Sequence, residues 1–230
     1  MPGRTYSPLG LSGSFNQDGK FMTDSSSEYQ RFREEAKNGD ALDELVGLTL
    51  TSTGLRAGAM AHMKEDWLSL EGRPQIFVPY GESCEMGSGA GRGGDTTKTG
   101  QPCKKCRRRV NKDWAPDHAD WTPKSENGVR PIPVRDDDTL QILESYFNLH
   151  KNVVGIQTIT TRVKKIASRA GIERTVTAHD LRDTYGTLLA KKNFSPYQIR
   201  DLMGHANLEQ ALDYVKLAGE AVQDEYDQKW

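Results

Sequence analysis

No stretch of this 230-residue chain holds the ~18 consecutive apolar residues that a membrane-spanning helix needs. The basic-then-apolar order of a secretion signal is missing from the opening MPGRTYSPLGLSGSF, so the expected location is the cytoplasm. Cysteine is scarce: three is an odd number, which excludes a complete disulfide framework and leaves reduced thiols or a metal site. Net charge is nearly absent too, at −1, and no internal repeat is visible. What is present is 35% hydrophobic and 27% charged residues, the composition of a globular protein with a polar surface. The length allows one good core, or one domain carrying a large insertion.

A net charge near zero does not exclude a nucleic-acid partner, because salt screens exposed charges beyond about 8–10 Å and local clustering decides the field. Residues 98–112, KTGQPCKKCRRRVNK, hold seven basic residues and no acid, and RVKKIASRAGIER (162–174) is nearly as one-sided. Acids gather in RDDD (135–138) and in GEAVQDEYD near the end. Such segregation fits a protein with one basic face, and equally a set of solvated runs.

Residues 1–24 are rich in Gly, Ser and Pro without periodicity and read as an irregular lead-in. SSSEYQRFREEAKNGD reads as a capped helix, ALDELVGLTLTSTGL as a buried helix ending at Gly54, and RAGAMAHMKEDWLSL as a helix turning toward a strand at residues 66–70. PQIFVPYG and GVRPIPV read as a second and a third strand. The segment between them, an insertion over residues 81–123, far exceeds a hairpin loop of 2–5 residues. After the third strand five helical segments follow, broken at Gly171, at Asn193–Pro196 and at Gly204. The expected fold class is α+β, mainly helical, with a small three-stranded antiparallel sheet and a long hairpin insertion.

Two local patterns carry chemistry. In TAHDLRDTYGTLLA, His179 and Arg182 lie three apart and share a helix face, with Leu181, Tyr185, Leu188 and Leu189 toward the core. A planar guanidinium fork beside one directed imidazole donor suits an oxyanion. Further on, LMGHANLEQALDYVKL sets Gly204-His205 nine residues ahead of Tyr214. Tyr185, Tyr197 and Tyr226 read as ordinary core aromatics.

Taken together, H-x-x-R, a Gly-His pair 22 residues after that Arg, and a Tyr nine residues beyond the His resemble the C-terminal signature of the tyrosine recombinases, the phage-integrase family. The stretch LTLTSTGLRAGAMAHMKEDWL resembles the family's "TGLR" segment, which puts Arg56 at its first catalytic arginine. TPKSENGVRPIPV matches the hairpin that carries the catalytic lysine, and this points to Lys124; Lys98 in TTKTG is the rival, less well spaced from R-x-I-P. The resemblance covers about residues 28–218. It implies a catalytic domain over residues 25–218, with 219–230 as a tail; the family's usual N-terminal DNA-clamping domain has no room in 1–24.

The resemblance further implies a catalytic set of Arg56, Lys124, His179, Arg182, His205 and Tyr214 acting on double-stranded DNA at specific sites. Tyr214 would attack a backbone phosphorus to form a 3′-phosphotyrosine. Arg56, Arg182 and His205 would hold the phosphate, Lys124 would protonate the departing 5′-oxygen, and His179 would orient or deprotonate the tyrosine. No metal, nucleotide or other cofactor is implied, and no membrane; the expected assembly is a homo-oligomer on DNA, with residues 215–230 docking on a neighbouring protomer. A type IB topoisomerase and a DNA-binding regulator that has lost catalysis are the alternatives.

In the insertion, Cys103 and Cys106 form CxxC, with Cys84 before and His118 after. These four could make a tetrahedral zinc site, or the thiols could be reduced and unliganded. Either way the basic run around the CxxC is a candidate DNA contact.

Overall fold

The computed structural model describes residues 27–86, 102–110 and 119–229. Lys98, His118 and the lead-in over residues 1–24 lie outside them. In chain order the elements are α1 (Ser27–Lys37), α2 (Ala41–Thr53), α3 (Ala57–Met60), β1 (Leu68–Ser69), β2 (Gln75–Val78), β3 (Glu82–Ser83), α4 (Lys104–Val110), β4 (Asp120–Trp121), β5 (Arg130–Pro133), α5 (Asp137–Phe147), α6 (Ile156–Arg169), α7 (Ala178–Lys191), α8 (Pro196–Met203) and α9 (Glu209–Lys229). Among the described residues no helix is long and apolar enough to cross a membrane.

Helix α2 is the hub, packed against α1, α5, α6 and α7. Its Leu45, Val46, Leu48 and Leu50 are fully buried, and so are Thr49, Thr51 and Thr53. Thr51 and Thr53 bury their hydroxyls by donating back to carbonyls one turn earlier in the same helix. Asp40 caps the first turn, and Gly54 ends the helix in the left-handed region with φ 59°. A side chain at Gly54 would also strike the ring of Tyr185.

The sheet is small and antiparallel, in the order β1-β2-β5. Its register pairs Leu68 with Ile76 and Ile76 with Ile132, and the inward Ile76, Val78 and Ile132 close the core from that side. The expected mainly helical architecture with a three-stranded sheet is what the chain forms. The strand expected at residues 66–70 shrinks to Leu68–Ser69, preceded by a 3-10 turn over Glu65–Trp67, and the helix before it is a single turn. Three elements the periodicity did not announce stand at the insertion: β3 pairs with β4 at its base, and α4 starts inside the CxxC, just after Cys103.

In the basic run 162–174, Lys164 and Lys165 are exposed, whereas its three arginines are paired. Arg162 and Arg169 each reach the carboxylate of Asp43 at 2.8 Å, and Arg174 pairs with Glu28 at 3.1 Å. Asp43 is buried, so Arg162 and Arg169 compensate an interior charge and tie α6 to α2, while Arg174 ties the segment after α6 to α1. Tyr197, expected in the core, is 61% exposed.

A second, smaller apolar cluster forms where α7, α8 and α9 meet. Leu189, Ile199, Met203, Ala211 and Tyr214 are its buried members.

Candidate active site

The C-terminus of α8 organises the site. Ser195 and Gln198 close a capping box at its start with Pro196 in the first turn, and Gly204 stops it in the left-handed region with φ 63°. The His205 N–H donates to the Arg200 carbonyl and the Gly204 N–H to that of Asp201, a Schellman closure. That closure leaves the next three carbonyls without helical partners, and each accepts from a different arginine. Arg130 Nε donates to Leu202 O at 2.8 Å, Arg182 Nη2 to Met203 O, and Arg56 Nη2 to Gly204 O at 3.3 Å. Arg182 also donates to Gly54 O at the end of α2. Two helix C-termini thus turn their negative ends on one guanidinium, which is how Arg182 sits 2% exposed inside the fold.

Burial and mutual repulsion lower the pKa of these cations without discharging them. Arg182 is brought to about 9 by burial first, then by the charges of Arg56 and Arg130. Arg130 is brought to about 10 by burial and then by Arg56. At neutral pH both remain cationic. His205 is pushed the same way, to about 3, by burial and then by Arg182, Arg56 and Arg130, so its ring is neutral. His205 Nδ1 and one terminal nitrogen of Arg130 are buried and find no hydrogen-bond partner among the described residues.

Tyr214 lies 2% exposed, its ring stacked at 5.9 Å on that of His205. Gly186 makes the room: a Cβ there would fall 2.8 Å from the Tyr214 ring. The phenol donates to Asp183 Oδ1 at 2.7 Å. Burial, then the negative charge of Asp183, raises the Tyr214 pKa well above the ordinary phenol value. Burial likewise raises Asp183 above the usual carboxylate range. The other oxygen of Asp183 lies 3.6 Å from Nε2 of His179, whose side chain is 77% exposed.

Lys124 is exposed in the turn after β4 and lines one shallow pocket with Arg56 and Arg130. The structure therefore gathers Arg56, Arg182, His205 and Tyr214 around residues 202–205, with Lys124 at the mouth. His179 does not join Arg182 on one face. Arg182 turns inward to two backbone carbonyls, whereas His179 faces solvent and reaches Tyr214 through Asp183. Sequence reading missed both Asp183 and Arg130. A period-two reading of β5 would have found the latter, since Arg130 shares the inward face with Ile132. Of the insertion ligands, Cys84, Cys103 and Cys106 converge, and the imidazole beside them is that of His62.

The chain matches the phage integrase family over residues 25–220, and it belongs to that family. Tyrosine recombinase XerD of Lacticaseibacillus casei is 24% identical over 106 residues, a match covering 46% of this chain and 35% of that one. Among solved structures, XerA recombinase superposes with a TM-score of 0.60 at 18% identity, covering all of this chain and 67% of that one. The Tn1549 transposon integrase in complex with circular intermediate DNA gives a TM-score of 0.58 at 16% identity, covering 92% and 68%. These structural likenesses fix the fold as that of a tyrosine recombinase catalytic domain.

Proposed function

We propose that this chain is the catalytic part of a site-specific DNA recombinase, cleaving and rejoining duplex DNA through a 3′-phosphotyrosyl intermediate without metal or nucleotide. One observation carries the reading: Arg56 and Arg182, far apart in the chain, converge on consecutive carbonyls beside His205, whose ring touches that of Tyr214. A phosphodiester seated there meets two cations and a neutral imidazole, the donors needed by the charge that grows on the non-bridging oxygens. Arg130 adds a third cation, and its orphaned nitrogen and that of His205 are suited to the same anion.

In the reaction, the Tyr214 oxygen bonds to phosphorus and the bond from phosphorus to the 5′-oxygen breaks. Lys124 gives its proton to that oxygen, which leaves as a hydroxyl. A free phenol is only about 0.1% ionised at neutral pH, and burial makes this one weaker still, so its proton must be taken as attack begins. Asp183 is within reach of that proton, and His179 stands between Asp183 and water. His179 therefore acts on the nucleophile through Asp183. Religation reverses the steps with a second 5′-hydroxyl, which exchanges partners between paired sites; a homo-oligomer on DNA and a docking role for the end of α9 belong to this reading.

The test is a nicked duplex that traps the intermediate. A covalent protein–DNA adduct forms with the wild type and is lost in Tyr214→Phe. Tight binding without any adduct in the wild type would instead support a regulator that has lost catalysis.

A further inference from the structure

We propose that His62, Cys84, Cys103 and Cys106 form a tetrahedral zinc site that fastens the insertion to the segment carrying Arg56. The four donor atoms all lie within 4.8 Å of one another, drawn from the end of α3, from the residue after β3, and from the CxxC at α4. His62 Nε2 stands 3.7 Å from Cys103 Sγ and 3.6 Å from Cys106 Sγ. A tetrahedron with Zn–S of about 2.3 Å and Zn–N of about 2.0–2.1 Å has edges of roughly 3.6–3.8 Å, so these separations are those of ligands around one ion.

The surroundings are those of a built site. His62 Nδ1 lies 2.7 Å from the Gly58 carbonyl, which fixes the proton on that nitrogen and turns the Nε2 lone pair toward the sulfurs. The imidazole stacks on Trp121 at 5.3 Å, and Trp121 packs on Trp67, so ring orientation is set by packing as well. The Cys103 N–H donates to Cys84 Sγ at 3.3 Å, support that a thiolate ligand needs. Cys84, Cys106 and His62 are buried and no disulfide joins the cysteines. Three thiolates and one imidazole, with all but Cys103 buried, is the donor set of a structural zinc site with no open coordination position.

The site places α4. With Cys103 and Cys106 held, Lys105 and Arg109 on the same helix line the pocket of Arg56, Lys124 and Arg130. Arg109 also grips the Thr122 carbonyl and hydroxyl at 2.6 and 2.7 Å, two residues before Lys124. The insertion thus sets two further cations at the mouth of the site; that consequence, unlike the metal site itself, rests on the DNA reading above.

The experiment measures bound zinc and the spectrum of the cobalt(II)-substituted full-length chain under reducing conditions. The expected result is one zinc per chain and, with cobalt, a strong thiolate charge-transfer band beside tetrahedral ligand-field bands. Both are lost in Cys106→Ser and in His62→Ala and kept in His118→Ala. No bound metal in the wild type after zinc reconstitution overturns the site, and so does full binding in His62→Ala. Should a variant misfold, cobalt titration of the wild type alone decides: a spectrum without the thiolate band overturns it. The consequence for DNA is read on zinc-loaded Lys105→Ala/Arg109→Ala, whose slope of log affinity against log salt falls by roughly 2. An unchanged slope with zinc bound removes the DNA role and leaves the metal site standing.

Discussion

Asp183 and His205 show how single side chains set the proton inventory around Tyr214. If Asp183 takes the phenol proton, Asp183→Asn, which keeps shape and an acceptor oxygen, slows single-turnover cleavage by about 10²–10⁴-fold while duplex affinity holds. If the carboxylate only restrained the nucleophile, its removal would ease ionisation of the phenol and speed the step, so a faster variant refutes the base role. His205 makes a separate prediction about stability. Its folded pKa of about 3 lies below its ordinary value of 6.5, so between the two the unfolded chain binds a proton that the folded chain refuses. Stability contributed by the neutral ring is therefore complete above about pH 6.5 and declines as pH falls toward 3, by up to about 1.4 kcal/mol per pH unit. In His205→Asn, denaturant melts across pH 7 to 4 should show a shallower decline than the wild type; parallel curves would mean that the ring is not held neutral by its surroundings.

Helix ends do more here than helix bodies. The stop at Gly204 is legible in the sequence, as are the TGLR turn, the inward strands and nearly every long helix, because caps, turn glycines and apolar periodicity are local signals. The recruitment of three arginines by one helix terminus is not legible. Arg130 reaches Leu202 across 72 residues, and nothing local says that the Leu202, Met203 and Gly204 carbonyls will face inward. The same limit explains the mistaken pairing of His179 with Arg182: three residues apart gives a shared face only if neither is drawn away, and Arg182 is drawn to the ends of α2 and α8. For the zinc ligands, CxxC and Cys84 were visible, but the place of His62 beside them depends on how the end of α3 packs near the insertion. At this scale the sharp test is Gly204→Ala. The φ of 63° is strained for alanine, and its Cβ would fall 2.6 Å from an Arg130 nitrogen and from the Asn127 carbonyl. The combined cost is about 2–3 kcal/mol in denaturant unfolding. Cleavage should fall further than stability does, because the shifted helix end carries Arg130, Arg182 and Arg56 with it; an active enzyme of normal stability would contradict that role for the terminus.

Across the molecule, apolar packing is divided unequally, and the division bears on how a buried nucleophile can act. One large contiguous cluster joins α1 through α6, the sheet and the inner face of α7. The cluster that holds α9 is a satellite, and of α9 it buries Ala211 and Tyr214, with Ala218 buried nearby. Over residues 209–219, the part of α9 whose side chains are described, two alanines and one tyrosine are buried, while Leu212 and Val215 are exposed. Opening this part of α9 costs less free energy than global unfolding, and the bond from Tyr214 to Asp183 is one of the contacts that hold it. On the proposed reading, turning the phenol from Asp183 toward a phosphate would use that weakness. Native-state hydrogen exchange should show amides of residues 211–218 opening well before those of Leu45–Leu50 in α2. Tyr214→Phe deletes a hydrogen bond to a charged group, worth about 1.5–3 kcal/mol, so protection across 211–218 should fall by roughly 10- to 100-fold with α2 unchanged. Equal protection in the two helices, or a loss spread evenly over both, would mean that α9 opens only with the whole fold, and the nucleophile would have to be reached by some other movement.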